Sequence, residues 1–257
     1  MAIHRDINKA ITAVTAAGIT LPAELDHAYA KTKMPVTVDN GTRITEAEAA
    51  VVAASTEDEL TTAVAGLRDA LSLNSATPDD VRSRTRVALE NHLAEVFQPL
   101  ARDLLSAVAD RFDQEAAPLV DAITRIPADL DTLPVTSLTP AQAQAIQDAT
   151  AAYGRVAPAY DAFGALYLTM TGSQLGNPKT VAGASRRLAA VSAFEDPERF
   201  RDAVEWLIQK ASNPVHVYGP VAAAVLFGGQ VSLARSTAEV EARRHEVVEA
   251  GPPMYVR

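Results

Sequence analysis

The residues that most invite a chemical reading lie in TMTGSQLGNPKT, residues 169–180, where Gly172 and Gly176 precede Lys179 and Thr180. A phosphate-binding loop has the pattern G-x-x-x-x-G-K-[ST], so that backbone amides cradle the phosphates and the lysine reaches the terminal ones. Registered on Lys179 and Thr180, the pattern asks for glycine at 173 and 178, which are Ser173 and Pro178. Registered on Gly172, it meets Asn177, Pro178 and Lys179 where Gly, Lys and Ser/Thr belong. Pro178 also removes one amide from any anion-binding nest. The stretch reads as a helix C-cap followed by a polar loop. It is not a nucleotide site.

Metal chemistry is suggested by RRHEVVEA (Arg243–Ala250). Zinc hydrolases use H-E-x-x-H, two imidazoles one helical turn apart with a glutamate as base. Here the second ligand position is Glu249, and His4, His27, His92 and His216 are scattered along the chain. ELDH (Glu24–His27) supplies one E-x-x-H of a di-iron bundle, and His92-x-x-Glu95 runs in the reverse order. Such a centre requires two E-x-x-H units and two further glutamates. Nucleophilic elbows fare no better, since Gly172-Ser173 and GASRRL (Gly183–Leu188) both lack the second glycine of G-x-S-x-G. No catalytic, cofactor-binding or metal-binding residue is assigned from the sequence, and no cofactor is implied.

Charge narrows the partners. The 257-residue chain has a formal charge of −9, which opposes broad nucleic-acid affinity. Within it, residues 162–194 contain no acidic residue and carry Lys179, Arg186 and Arg187. This local positive zone lacks the interleaved aromatics of a nucleic-acid platform. The RSRTR segment (Arg82–Arg86) has Asp79, Asp80 and Glu90 at i,i+3 or i,i+4 spacing, so its arginines read as self-paired on a helix. Zero cysteines exclude disulfides, thiolate zinc sites and thiol nucleophiles together.

The elements that must position these residues are helical. Hydrophobic residues at 48% and charged residues at 21% describe a globular chain, and 5% aromatics with abundant alanine suit closely packed helices. Start signals recur at Thr45–Glu48, Thr56–Glu59, Thr77–Asp80, Thr139–Gln142, Asp196–Arg199 and Ser236–Glu239. After Thr77, Leu89, Leu93, Val96, Leu100, Leu104, Val108, Phe112, Leu119 and Ile123 recur on one face, with Asp103, Asp110, Arg111, Asp113 and Glu115 on the solvated one. Pro99 and Pro118 are expected to kink or interrupt this rod. A second helix from Pro140 to about Met170 is expected to return along it across a turn-rich connection.

Two stretches read as β. Asn40-Gly41 within Pro35–Ile44 is a hairpin signal, and Gly228-Gly229 within Val221–Ala234 fits either a hairpin or a buried helix ending at Gly228. Residues 211–234 carry no charge, yet Pro214, Pro220, Gly228 and Gly229 make a poor membrane span. The segment reads as core first and as a subunit interface second. The N-terminus lacks a signal-peptide pattern. The tail GPPMYVR cannot be helical across Pro252 and Pro253 and would fray unless a neighbour held it.

The expectation is a mainly α protein, an elongated helical bundle with long kinked helices and one or two small β-hairpins. Its regions are 1–75, a helical region with a small hairpin; 76–172, a long antiparallel helical pair; and 173–257, an α(+β) region. The expected function is a non-catalytic structural or interaction subunit of a larger protein assembly, for example a virion or phage-particle component. It would bind copies of itself or other subunits, in the cytoplasm or within a particle. The alternatives are a helical metal-dependent enzyme with dispersed His/Glu ligands and a nucleic-acid-associated regulator.

Overall fold

The capping signals and the helical periodicity translate directly into elements. The computed structural model describes residues 2–35, 40–54, 56–74, 78–126, 138–177, 179–209 and 214–248. The helices are α1 (Ala2–Ala16), α2 (Ala23–Lys33), α3 (Asn40–Ala53), α4 (Glu57–Asn74), α5 (Pro78–Thr124), α6 (Pro140–Thr171), α7 (Val181–Val191), α8 (Pro197–Gln209), α9 (Gly219–Leu226) and α10 (Thr237–Val248). Two short strands, β1 (Ser192–Ala193) and β2 (Gln230–Val231), and a 3-10 turn at Pro214–Tyr218 complete the described elements. The protein is mainly α.

The chain clusters into two compact units. One gathers residues 1–21 with 97–257, and the other is Pro22–Val96. The N-terminal helix therefore belongs with the C-terminal half of the chain.

In the first unit α1 packs on α6. Ile7, Ala10, Ile11 and Val14 recur at three- and four-residue steps on α1, and all are buried. The buried stripe of α6 is largely alanine: Ala145, Ala149, Ala152 and Ala159 are buried with Val156, Phe163 and Leu166. Small side chains let the helix backbones approach closely, and dispersion contacts then accumulate at crystal-like density. The face proposed for α5 is also apolar and inward: Leu104, Val108, Phe112, Leu119 and Ile123 are buried. Ion pairs Glu115–Arg155 at 3.2 Å and Arg125–Asp148 at 3.1 Å fix this part of α5 antiparallel to α6, because the partner moves back along α6 as one moves forward along α5.

Neither Pro99 nor Pro118 interrupts α5. Both lie on its exposed face, as do Glu95 and Gln114, whose carbonyls lose their amide partner to the prolines. Water can hydrate carbonyls there, so the missing bonds do not end the helix.

Helix α7 packs against α8, α9 and α10. The charge-free segment is core: Val221, Ala222, Ala223 and Ala224 on α9 are buried, with Leu233 and Ala234 beyond it. Helix α9 ends at a left-handed Gly228 (φ 75°), and the amide of Gly229 donates to the Ala224 carbonyl at 2.7 Å. The chain then pairs with a distant segment, Ser192 opposite Val231 in an antiparallel register. Of the two readings of Gly228-Gly229, the buried helix ending at Gly228 is the one found, and in place of a hairpin the chain makes a long-range strand pair. A Cβ on Gly229 would lie 2.5 Å from the Phe194 ring, so the glycine serves close approach rather than a two-residue turn.

The first expected hairpin is also corrected, because Asn40 and Gly41 open α3 and residues 40–44 are helical. The helix formers that follow, from Glu46 to Ala50, override the turn preference of a single Asn-Gly pair. Thr45 consequently lies inside a helix rather than capping one. Residues 36–39 lie outside the described residues, as do Thr77 and the tail from 249.

Candidate functional site

The stretch at 169–180 is a tightly built corner between two helices. Gly172 (φ 68°) ends α6 with its amide on the Leu168 carbonyl at 2.8 Å. Thr180 then caps α7, its hydroxyl accepting from the Gly183 amide at 3.2 Å. Between them the Asn177 side chain accepts from the Lys179 amide at 2.9 Å, a local turn that satisfies the backbone. Gly176 (φ 96°) and Gly183 press together: a Cβ on Gly176 would stand 2.6 Å from the Gly183 Cα, and one on Gly183 would overlap Asn177. The glycines serve helix-to-loop packing, and amides that a phosphate would need are already used. The start of α7 at Thr180 was missed in the sequence, although a hydroxyl followed by an apolar-periodic run signalled it.

Two of the three cations of the positive zone, Arg186 and Arg187, are engaged within the fold. Arg186 donates to Glu241 at 3.2 Å, while Arg244 donates to the other Glu241 oxygen at 2.8 Å and Tyr167 donates to the first at 2.9 Å. Burial opposes the charge on Glu241, but the Tyr167 hydrogen bond and the Arg244 and Arg186 charges outweigh it and hold the carboxyl below its ordinary value. Arg187 donates to the Gly176 carbonyl at 2.9 Å. Sequence reading missed Glu241 as the partner because it lies on α10, far along the chain.

Two further arginines of this unit are similarly engaged. Arg243 donates to the Ser232 carbonyl at 2.8 Å and to Glu239 at 2.6 Å. Arg235 pairs with Asp110 and Asp113, and Asp113 also accepts the Leu233 amide at 2.9 Å. Two acids expected on the solvated face of α5 thus receive the C-terminal segment. These are fastenings.

One small cleft of about 250 Å³ lies beside this corner, lined among others by Tyr160, Asp161, Leu175 and Arg187. The Tyr160 hydroxyl is buried without a hydrogen-bond partner, and burial pushes it up to about 12 against the lowering effect of Arg187. Asp161 faces the Arg187 charge, and its carboxyl is raised by burial against that charge. Opposite charges across so small a cleft favour neither a simple anion nor a simple cation. Among the described residues, no group of three His, Cys, Asp or Glu side chains could hold a metal ion. His27 and His92 are exposed, His216 contacts the Leu207 carbonyl at 2.8 Å and Trp206, and the side chains of His4, His245 and Glu249 lie outside the described residues. No described helix is long and apolar enough to cross a membrane.

The second unit presents a different kind of surface. Helices α3 and α4 pack on one another, and none of their described residues is buried. Ala47, Val51, Ala54, Ala63, Leu67 and Ala70 form the half-buried seam between them. Outside that seam Val52 is 87% exposed, Val64 50% and Leu60 44%. A groove of about 650 Å³ runs over the junction, lined by Ala50, Ala53, Ala54, Ala63 and Thr62, with Asp58 and Glu59. Helix α4 begins with a complete capping box: the Glu59 amide donates to the Thr56 hydroxyl at 3.3 Å, and the Thr56 amide donates to Glu59 at 3.2 Å. Comparison with family models, curated proteins and solved structures finds no match.

Proposed function

We propose that the protein is a non-catalytic interaction subunit of a larger protein assembly, acting through contacts made by the α3–α4 hairpin. A virion or phage-particle component would be one such subunit. The observation that carries the reading is a pair of helices, 14 and 18 residues long, with no buried residue among those described. Helices of this length are marginal alone, and most helical stability in proteins comes from packing an apolar face. Val52, Leu60 and Val64 supply such a face and leave it open to solvent. Exposed apolar surface of this kind marks interaction sites.

Hydrogen exchange of the isolated chain tests the reading. The α3–α4 amides should exchange far faster than those of α6, since local opening there exposes little additional apolar surface. Full protection of the hairpin in the isolated chain would overturn the proposal. Light scattering across concentration then separates assembly with copies of itself from assembly with unlike subunits.

A further inference from the structure

We infer that the cleft between the C-terminal half of α6, the loop at 174–176 and α7 is a binding site for a small aliphatic zwitterion of the amino-acid class. The cleft belongs wholly to the first unit, so this site stands or falls independently of the α3–α4 hairpin. An unmet hydrogen bond points to it. The Tyr160 hydroxyl is buried in the wall of the cleft and makes no hydrogen bond, although buried side-chain polar atoms are mostly paired. Burial pushes its value up to about 12, so it stays protonated and is a standing donor. Arg187 is the second donor. Its Nε is spent on the Gly176 carbonyl at 2.9 Å, which fixes the guanidinium, and among the described residues its outer nitrogens have no partner. A fixed guanidinium beside a neutral hydroxyl is a donor set from which a carboxylate accepts.

Asp161, the next residue on α6, lies at the exposed rim of the same cleft. It feels the Arg187 charge but closes no ion pair with it, and among the described residues it has no other partner. Two opposite charges held apart across one cleft leave room for a molecule that answers both. A plain anion would meet Asp161, a plain cation would meet Arg187, and a neutral ligand would leave both unmatched. A zwitterion sets its carboxylate inward on Arg187 and Tyr160 and its ammonium outward on Asp161. Size and lining narrow it further. The volume of about 250 Å³ falls below that of pockets for drug-sized ligands. Gly164 puts no side chain into this space, and Leu168 and Leu175 offer apolar contact to a short aliphatic chain.

The test is a ligand-observed NMR titration of the full chain with three probes of one shape. These are L-valine, isovalerate, which lacks the ammonium, and isobutylamine, which lacks the carboxylate. L-Valine should bind at least about tenfold more tightly than either of the others. Tyr160→Phe removes only the unpaired hydroxyl and so keeps the fold. It should weaken L-valine and isovalerate by similar factors, about three- to tenfold. Asp161→Asn, at an exposed position, also leaves folding intact. It should weaken L-valine about tenfold while isovalerate binds no more weakly than before. Isovalerate or isobutylamine binding as tightly as L-valine overturns the inference. So does the absence of binding by any probe at about 10 mM, which would leave a cleft filled by solvent alone. L-Valine binding that neither variant changes would lie elsewhere on the molecule, and it overturns the inference equally.

Discussion

Two helical pairs in this molecule are built from the same alphabet and reach opposite ends. Helices α1 and α6 pack on one another with alanine and aliphatic residues at helical spacing, and Ile11, Val14, Ala149 and Val156 are fully buried. In α3 and α4 the same residue types at the same spacing stay half-exposed or exposed. The difference is the third layer. Helix α6 also has α5 beside it, tied by Glu115–Arg155 and Arg125–Asp148, whereas α3 and α4 pack on one another with their outer apolar residues in solvent. Two alanine-rich helices make a contact; enclosure requires more.

The comparison can be broken most severely in the packed unit. Phe163→Ala should destabilise by about 3–5 kcal/mol, because it empties a fully buried ring and leaves a cavity. Val64→Ala in the hairpin should change stability by less than about 0.5 kcal/mol, as for surface substitutions generally. Urea unfolding of both variants checks the pair. Similar losses would mean that the hairpin has a core after all.

The next effect belongs to the corner at Gly183. A methyl group there overlaps the Asn177 carbonyl, and the facing Gly176 is held at φ 96°. Gly183→Ala should cost about 1–3 kcal/mol through overpacking, despite alanine's better helix propensity. Gly66→Ala in α4 meets nothing within 4 Å and should instead stabilise that helix by about 0.5–1 kcal/mol. Opposite signs for one substitution type would sharpen the contrast between the units, with thermal melts as the readout.

How much of this was legible in the sequence follows from the range of each interaction. Caps are local, so Thr56, Thr139, Asp196 and Ser236 could be read as starts, and each hydroxyl or carboxylate accepts an early amide. The α5 stripe was legible because seven of its named positions repeat on one face and are buried. Asn40-Gly41 misled because a dipeptide preference is weaker than the helix propensity summed over the residues after it. At Gly228-Gly229 the buried helix ending there was legible, whereas the pairing of β2 with a strand preceding α8 was not, because local alternation cannot encode it. The partner of Arg186 was hidden for the same reason, since its counter-charge comes from Glu241 on α10. The open face of α3–α4 was invisible because spacing reports which residues share a face, but not whether anything covers it.

Helix caps give a smaller effect on both sides of the comparison. Thr56→Ala and Thr139→Ala each remove the hydroxyl that accepts an early amide, worth about 1 kcal/mol in either place. At Thr139 the loss should appear in the unfolding of the packed unit, because α6 is bound into its core. At Thr56 it should appear as faster exchange of the first α4 amides with little change in global unfolding. A global loss at Thr56 would show that α4 is energetically coupled to a core.

The smallest effect is electrostatic and confined to the packed unit. Glu241 joins Tyr167, Arg186 and Arg244, but its side chain is 38% exposed, so solvent screens much of the gain. Its folded carboxyl is held below the ordinary 4.5. A depressed carboxylate stabilises the fold above its unfolded value, and that contribution disappears as pH falls through the folded value. Glu241→Gln should therefore be modestly less stable than the parent at neutral pH, and the gap should close as pH drops below about 4.5. Stability measured for both chains along a pH series decides it, because other acid groups titrate equally in the two and cancel in the difference. A gap that widens on acidification would mean that Glu241 is strained by burial rather than held by its partners. The α3–α4 helicity should be the same in parent and variant across the series, since Tyr167, Arg186 and Arg244 all belong to the other unit.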